Sequence, residues 1–271
     1  MDSFGLKRRR SDAPNFLKTD LDIEGLADEI FSRYEGERPI VIDGRSSTAT
    51  FFRREYCPEF RVMKLAGWLA LSINQRAENG ERAQGIEQLR VTIPEIMLAA
   101  LMHDLGKKHE DCAPFIELLE QTDLRGLASA PDASRHKDYL LGIIRDVHCR
   151  KGPCMIDRLG DAGRPELSNP FISTVARRHG DDYDVNCGTK QGCWWAREIN
   201  VVTIADDFDA MTSEGPERAY KTEKLSFDDA AKLLWAGVAR GRYDRQIARI
   251  FIEDVLGLEL PSVDGPHHPT A

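Results

Sequence analysis

Apolar residues recur along most of this chain at the three- and four-residue spacing of amphipathic helices. One such stripe, in residues 57–77, consists of Val62, Leu65, Ala66, Leu69 and Ile73. The same spacing predicts further helices over residues 22–34, 92–104, 114–124, 134–148, 169–179, 197–211, 226–239 and 243–257. Residues 38–44, "RPIVIDG", are the best strand candidate. The pattern predicts an all-α fold, a helical bundle with a short N-terminal extension in which a strand can form.

Capping signals mark the starts of two of these helices. Thr92 followed by Glu95 has the spacing of a capping box, and Pro94 lies in the first turn, where its missing N–H costs nothing. Ser226, with Asp229 three residues later, gives a similar start. Both helices are therefore expected to begin at these residues.

The stretch "LAALMHDLGKKHED", residues 98–111, joins an apolar helix to a histidine and an aspartate. On helical spacing Asp104 shares a face with Leu101, toward the core, and His103 lies about 100° round the helix. An ionised carboxylate in that position is costly unless it is paired or bound to a metal ion. Either the pair simply ends the helix, with Gly106 stopping it and the lysines in water, or it belongs to a metal site.

Three of the seven histidines could meet at one end of a bundle. Those set aside are His267 and His268 in the C-terminal tail, and His109 and His136 among charged residues. His103, His148 and His179 each lie at or near the end of a predicted helix, and Asp206, like Asp104, follows an apolar run. Bundles build two-metal sites from such residues, and a carboxylate can bridge ions about 3.5–4 Å apart. Imidazole with carboxylate favours iron, manganese, nickel or zinc over magnesium or calcium.

Composition is that of a globular domain rather than of a membrane or nucleic-acid-binding protein. The 271 residues carry a net charge of −8, which argues against a nucleic-acid surface, and no apolar run approaches a membrane span. The basic "KRRR" near the N-terminus is followed by no apolar stretch, so a secretory signal is not predicted and a cytoplasmic location is expected. We expect a tail and extension over residues 1–50, one helical domain over 51–260, and a disordered tail over 261–271.

Four of the six cysteines come in two local pairs. Cys149 and Cys154 have four residues between them, and Cys187 and Cys193 have five, whereas zinc knuckles usually have roughly two to four. A structural zinc site and free thiols in a reducing compartment are both open interpretations, and the spacing favours free thiols.

Several motifs are similar to those of a known family. "HDLGK", residues 103–107, resembles the signature of the HD superfamily of metal-dependent phosphohydrolases, and the order His103-Asp104, His148, His179, Asp206 follows that of the superfamily. "IADDFDAMTSEGPERAYKTEKLSFDDAAKLL" and "GRYDRQIARIFI" resemble the HD-GYP branch, the bacterial cyclic-di-GMP phosphodiesterases. The resemblance covers about residues 55–255.

This resemblance implies an HD-domain bundle with two divalent transition-metal ions, iron or manganese rather than zinc, nickel or magnesium. The first ion would be held by His103, Asp104 and Asp206. The second would be held by Asp104, His148 and His179. The implied activity is hydrolysis of a phosphate ester of a nucleotide, with cyclic-di-GMP as the leading substrate.

Three further residues have implied roles toward the phosphate. Lys107 would stabilise negative charge on the phosphoryl group, Asp209 would assist the attacking water, and Arg218 would hold a substrate phosphate. Surface ion pairing is the alternative role for each of them.

The sequence also departs from the family pattern. No histidine precedes Arg61 on the first core helix, and the candidate replacements are Glu55, Cys57 and Glu59. His179-Gly180 stands where the family has two histidines, so a third ion is not expected. "DVNCGTKQGCWW" replaces the Gly-Tyr-Pro loop, and Gly215 removes one phosphate-binding cation. The alternative function is therefore a degenerate HD-GYP-like module that binds a nucleotide or a signalling protein partner without turnover.

Overall fold

The computed structural model describes residues 21–35, 37–42, 45–50, 52, 57–81, 85–121, 131–189, 192–213 and 224–260. Arg218, Glu55, residues 1–20 of the predicted N-terminal tail and extension, and the predicted C-terminal tail 261–271 lie outside these residues. The described part is mostly helical, which confirms the predicted all-α class. No helix in it is both long and apolar enough to cross a membrane.

Helices make up most of the described elements. Their bounds are α1 (Ile23–Ser32), α2 (Pro58–Glu78), α3 (Ile93–Met102), α4 (Ala113–Gln121), α5 (Pro131–Asp161), α6 (Pro170–Arg178), α7 (Tyr183–Gly188), α8 (Gly192–Thr212), α9 (Phe227–Val238) and α10 (Arg245–Ile250). Single 3₁₀ turns cover Leu105–Lys108 and Pro165–Ser168, and the π-helical segment Phe251–Val255 extends α10. The short helix α7 was not predicted, because its six residues carry no apolar periodicity.

The predicted strand is present and has a partner. β1 (Glu37–Ile42) pairs antiparallel with β2 (Arg45–Thr50), with Arg38 opposite Ala49. This hairpin lies between α1 and α2 in the sequence.

The core is built around α2, which packs against α1, α3 and α8. Of its predicted stripe, Leu65 is only half-buried, and the buried members are Val62, Ala66, Leu69 and Ile73. Helix α3 is buried on all sides from Ile96 to Met102 rather than on one face. Its end therefore lies deep in the molecule, and any polar residue there needs a partner.

Both predicted caps are confirmed. The Thr92 hydroxyl accepts from the Glu95 N–H, and the Glu95 carboxylate accepts from the Thr92 N–H. The Ser226 hydroxyl accepts from the Asp229 N–H at the start of α9.

Two predicted helix ends are wrong. Helix α3 ends at Met102, so His103 and Asp104 lie in a turn before the 3₁₀ segment rather than on the helix. Helix α5 does not end near His148 but continues to Asp161 through Pro153. A proline removes one helical hydrogen bond, but packing of α5 against α6 and the Leu105–Lys108 turn keeps the chain helical there.

Candidate metal centre

Residues far apart in the sequence supply one buried polar cluster. His103 and Asp104 follow α3, His148 lies inside α5, His179 caps the end of α6, and Asp206 lies on α8. The first four are at most 5% exposed, and the side chain of Asp206 is 21% exposed. The five predicted ligands are therefore brought together.

Asp104 is at the centre of this cluster. Its Oδ1 lies 3.4 Å from His148 Nε2 and 3.5 Å from His179 Nε2. Its Oδ2 lies 3.3 Å from His103 Nε2, which is in turn 3.4 Å from Asp206 Oδ1. The two carboxylate oxygens thus face different donors, in the two sets implied by the family resemblance, and the donor atoms of His103, Asp104 and His179 also lie within 4.8 Å of one another.

The three imidazoles are held in one orientation. Nδ1 of His103 lies 2.6 Å from the Ala100 carbonyl oxygen, and the corresponding Nδ1 of His148 lies 2.8 Å from that of Ile144. His179 repeats the arrangement at 3.1 Å, one turn after its carbonyl partner in α6. A carbonyl only accepts, so Nδ1 of each ring carries a proton and Nε2 faces the cluster. A ring in this orientation binds a metal through Nε2 once that nitrogen carries no proton.

The arrangement leaves polar atoms without hydrogen bonds. His103 Nε2 and Asp104 Oδ1 are buried and have no hydrogen-bond partner within the described part of the chain. Nε2 of His148 and Nε2 of His179 face each other at 3.4 Å. Two donors about 2.1 Å from a tetrahedral ion are separated by about 3.4 Å, so these spacings fit a shared cation. The buried donor set could therefore hold a metal ion.

Charge in the cluster is balanced by protons and by one lysine. Burial alone would lower the pKa of His103, but Asp104 and Asp206 outweigh it and hold that pKa well above its usual range. Burial would raise the pKa of Asp104, but Lys107 and His103 hold it well below its usual range. Burial lowers the pKa of His148 to about 4, against the opposing effect of Asp104. The positive charge that stabilises the Asp104 carboxylate thus comes from Lys107 and His103, and a divalent cation could take the place of the His103 proton.

Lys107 lies at the rim of the cluster on the 3₁₀ turn. Its ammonium contacts Asp104 Oδ2, and its side chain is 39% exposed. The turn is held against α5 by Gly106, where a Cβ would lie 2.1 Å from the carbonyl oxygen of His148 and 2.7 Å from the Gly152 nitrogen. Glycine is needed at position 106 for this close approach, not only to end a helix.

Asp209 is not brought into the cluster. Its carboxylate accepts two hydrogen bonds from the Arg61 guanidinium, at 2.8 and 3.2 Å, and one from the Ser213 hydroxyl at 2.7 Å. It is 2% exposed. The geometry gives Asp209 a buried ion pair, whereas the alternative considered for it was a surface ion pair.

A cysteine that the sequence did not predict as a ligand lies beside the histidines. Sγ of Cys149 is 3.5 Å from Nε2 of His148, and the donor atoms of Cys149, His148 and His179 all lie within 4.8 Å of one another. In the sequence, Cys149 directly follows the predicted ligand His148, which could have indicated this position. The cysteine spacing instead favoured its interpretation as one of a pair with Cys154. Cys154 is exposed and belongs to no such group among the described residues, and the same is true of Cys187.

Two of the three proposed replacements for the missing first-helix histidine, Cys57 and Glu59, bond to each other, and the third, Glu55, lies outside the described residues. Cys57 donates from Sγ to Glu59 Oε2 at 3.2 Å. Neither residue belongs to a group of possible metal ligands in the described ranges. Burial, followed by Glu59, raises the pKa of the Cys57 thiol, so it is held protonated.

Hydrogen bonds from Arg242 connect two of the helices that carry the clustered residues. The Arg242 guanidinium donates to Asp207 Oδ2 at 2.7 Å and to the Gly180 carbonyl oxygen at 3.1 Å. Asp207 follows Asp206 on α8, and Gly180 follows His179 at the end of α6. Arg242 therefore fixes the position of α8 relative to the end of α6.

The five predicted ligands and Lys107 thus share one site, whereas Asp209 is paired with Arg61. Comparisons of the chain with protein-family models, with curated proteins and with solved structures return no match.

Proposed function

We propose that this chain is a metal-dependent phosphohydrolase of the HD type, acting on a phosphodiester of a nucleotide, with cyclic-di-GMP as the leading candidate. The observation that carries the proposal is the placement of Asp104 between two sets of donors, each facing one carboxylate oxygen. Such a bridging carboxylate is typical of two-metal hydrolytic sites. The motif resemblance of residues 103–107 and 204–234 supports the same reaction class.

His103, Asp104 and Asp206 would hold one ion, and Asp104, His148 and His179 the other. When bound, such ions supply an activated water and neutralise charge on the phosphoryl oxygens. Nitrogen and oxygen donors favour iron or manganese over magnesium, because magnesium prefers an all-oxygen shell.

Lys107 supplies a positive charge at the rim of the candidate metal centre. Its ammonium lies beside Asp104 and is partly exposed, so a substrate phosphate at the rim would meet it first. Fixed cations of this kind stabilise charge that develops on a phosphoryl oxygen.

A cavity next to the end of α8 has room for part of a small ligand. Its volume is about 450 Å³, within the usual range for small-molecule sites, and it is lined in part by Arg61, Ser213 and Lys224. Ser213 is seven residues after Asp206, about 10 Å along the chain direction of α8. A nucleotide that reaches the metal centre with one phosphate could extend toward this cavity.

The alternative of binding without turnover also has specific support. Asp209, which the resemblance assigns to the attacking water, is engaged by Arg61 and Ser213. Two candidate replacements for the first-helix histidine, Cys57 and Glu59, bond to each other and belong to no possible metal-ligand group among the described residues. A metal centre with these features would bind a phosphate ligand and turn it over slowly or not at all.

One assay separates the two functions. The protein is purified anaerobically, its metal content is measured, and hydrolysis of cyclic-di-GMP and of bis(p-nitrophenyl) phosphate is followed with added Mn²⁺ or Fe²⁺. We expect metal-dependent turnover that Lys107→Ala lowers by about 10²-fold without loss of metal, whereas the neighbouring Lys108→Ala leaves turnover unchanged. Bound metal without turnover of either compound would favour the binding module. Neither metal nor turnover would contradict both.

A further inference from the structure

Cys149 completes a second triangle of donors on the pair of facing imidazoles. Its Sγ lies 3.5 Å from His148 Nε2, and the three donor atoms of Cys149, His148 and His179 lie within 4.8 Å of one another. Asp104 Oδ1 forms the other triangle with the same two nitrogens, at 3.4 and 3.5 Å. The two triangles share the edge between the two imidazole nitrogens.

The spacings agree with a metal-bound sulfur. A nitrogen about 2.1 Å and a sulfur about 2.3 Å from a tetrahedral ion are separated by about 3.6 Å. The observed separation of Cys149 Sγ from His148 Nε2 is 3.5 Å. A second, independent feature points to a ligand here, because Asp104 Oδ1 is buried, faces the same imidazole pair, and has no hydrogen-bond partner among the described residues.

We propose that Cys149 is a thiolate ligand of the ion held by His148, His179 and Asp104. On binding, the metal–sulfur bond replaces the S–H bond and the proton leaves to solvent. The inference rests on the metal centre of the proposed function and not on hydrolysis.

One sulfur donor changes which ion this half of the centre selects. Thiolate favours zinc over manganese and magnesium, whereas His103 and Asp206 offer only nitrogen and oxygen to the other half. The centre would then be asymmetric, with a zinc-preferring position at His148 and His179 and a harder position at His103.

Cobalt(II) tests this directly, because a thiolate ligand gives a near-ultraviolet charge-transfer band that nitrogen and oxygen ligands do not give. Metal-free wild-type protein, Cys149→Ser and the matched control Cys154→Ser are titrated with Co²⁺. Cys154 lies on the same helix and is exposed. We expect the band in wild type and Cys154→Ser and its loss in Cys149→Ser, with the visible cobalt bands retained. Zinc affinity should fall at least about tenfold in Cys149→Ser alone.

The possible failures are distinguishable. A charge-transfer band that persists in Cys149→Ser, or visible cobalt bands without any thiolate band in wild type, would overturn the role of Cys149 and leave the metal centre standing. No cobalt binding by wild type would contradict the metal centre itself, and this inference with it.

A measurement on the unchanged chain covers the case in which Cys149→Ser does not fold. Alkylation of each cysteine by iodoacetamide is followed by mass spectrometry with and without Zn²⁺. We expect Zn²⁺ to slow labelling of Cys149 at least about tenfold and to leave Cys154 unaffected. Equal labelling of Cys149 in both conditions would overturn the proposal.

Discussion

At the scale of single residues, the main feature of the centre is that it buries ionised carboxylates. Asp104 is ionised and 5% exposed, and Asp206 adds a second carboxylate. In the metal-free protein, a proton on His103 and the ammonium of Lys107 compensate these charges. A divalent cation would replace the proton with a stronger and more central positive charge, so the cluster could hold a metal ion.

His148 should make the metal-free protein sensitive to acid. Its pKa is about 4 in the folded chain and near the ordinary 6.5 when unfolded, so the unfolded state binds more protons between these pH values. Stability should therefore fall as the pH falls from 6.5 toward 4, by on the order of 3 kcal/mol from this residue. Urea unfolding of chelator-treated wild type and His148→Gln at pH 7 and pH 4.5 measures the difference. An equal loss of stability in both proteins would contradict the assigned pKa.

At the scale of elements, the backbone of the 3₁₀ turn packs closely against the backbone of α5. Gly106 approaches the backbone of α5 at His148 and Gly152, which sets the distance between Asp104 and His148. Any side chain at position 106 would push the turn away from α5 and separate these ligands.

Gly106→Ala should therefore destabilise the protein by at least about 2 kcal/mol, because its Cβ would meet an unyielding carbonyl oxygen. Gly142→Ala is the matched control on α5 itself, since a Cβ there meets nothing within 4 Å. It should gain about 0.5–1 kcal/mol from better helix propensity. Urea unfolding measures the free energy of unfolding of both variants. An unchanged free energy of unfolding in Gly106→Ala would show that the contact does not hold the turn.

Apolar periodicity predicted most of the helices, but not the local geometry of the site. It placed His103 and Asp104 on a helix, although α3 stops at Met102 so that the turn can reach α5. It ended a helix near His148, although packing carries α5 through Pro153. These outcomes depend on tertiary contacts, which spacing along the chain does not encode.

The meeting of candidate ligands was predictable where residue type and order were distinctive, as for His103, Asp104 and Asp206. The place of Cys149 beside them was not, because cysteine spacing suggested a pairing with Cys154, whereas its neighbours in space come from α5 and α6. The role expected for Asp209 stays a prediction, and its contact with Arg61 depends on the packing of α2 against α8.

At the scale of the whole molecule, helices from distant parts of the chain meet at Asp104. The turn after α3, the middle of α5, the end of α6 and the second half of α8 each supply one wall. The buried α3 carries the turn into the interior, and Arg242 ties α8 to the end of α6. The fold therefore serves as a frame that holds one carboxylate between two sets of donors.

Metal content of Asp104→Ala tests this account most directly. Wild type, Asp104→Ala and the exposed-site control Asp111→Ala are purified anaerobically with added iron and manganese, checked for folding by melting curves, and analysed by plasma mass spectrometry. We expect wild type and Asp111→Ala to hold up to two ions per chain and folded Asp104→Ala to hold at most one, because both sets of donors share this carboxylate and only His148, His179 and Cys149 keep three donors without it. A folded Asp104→Ala with the metal content of wild type would contradict the bridging role of Asp104.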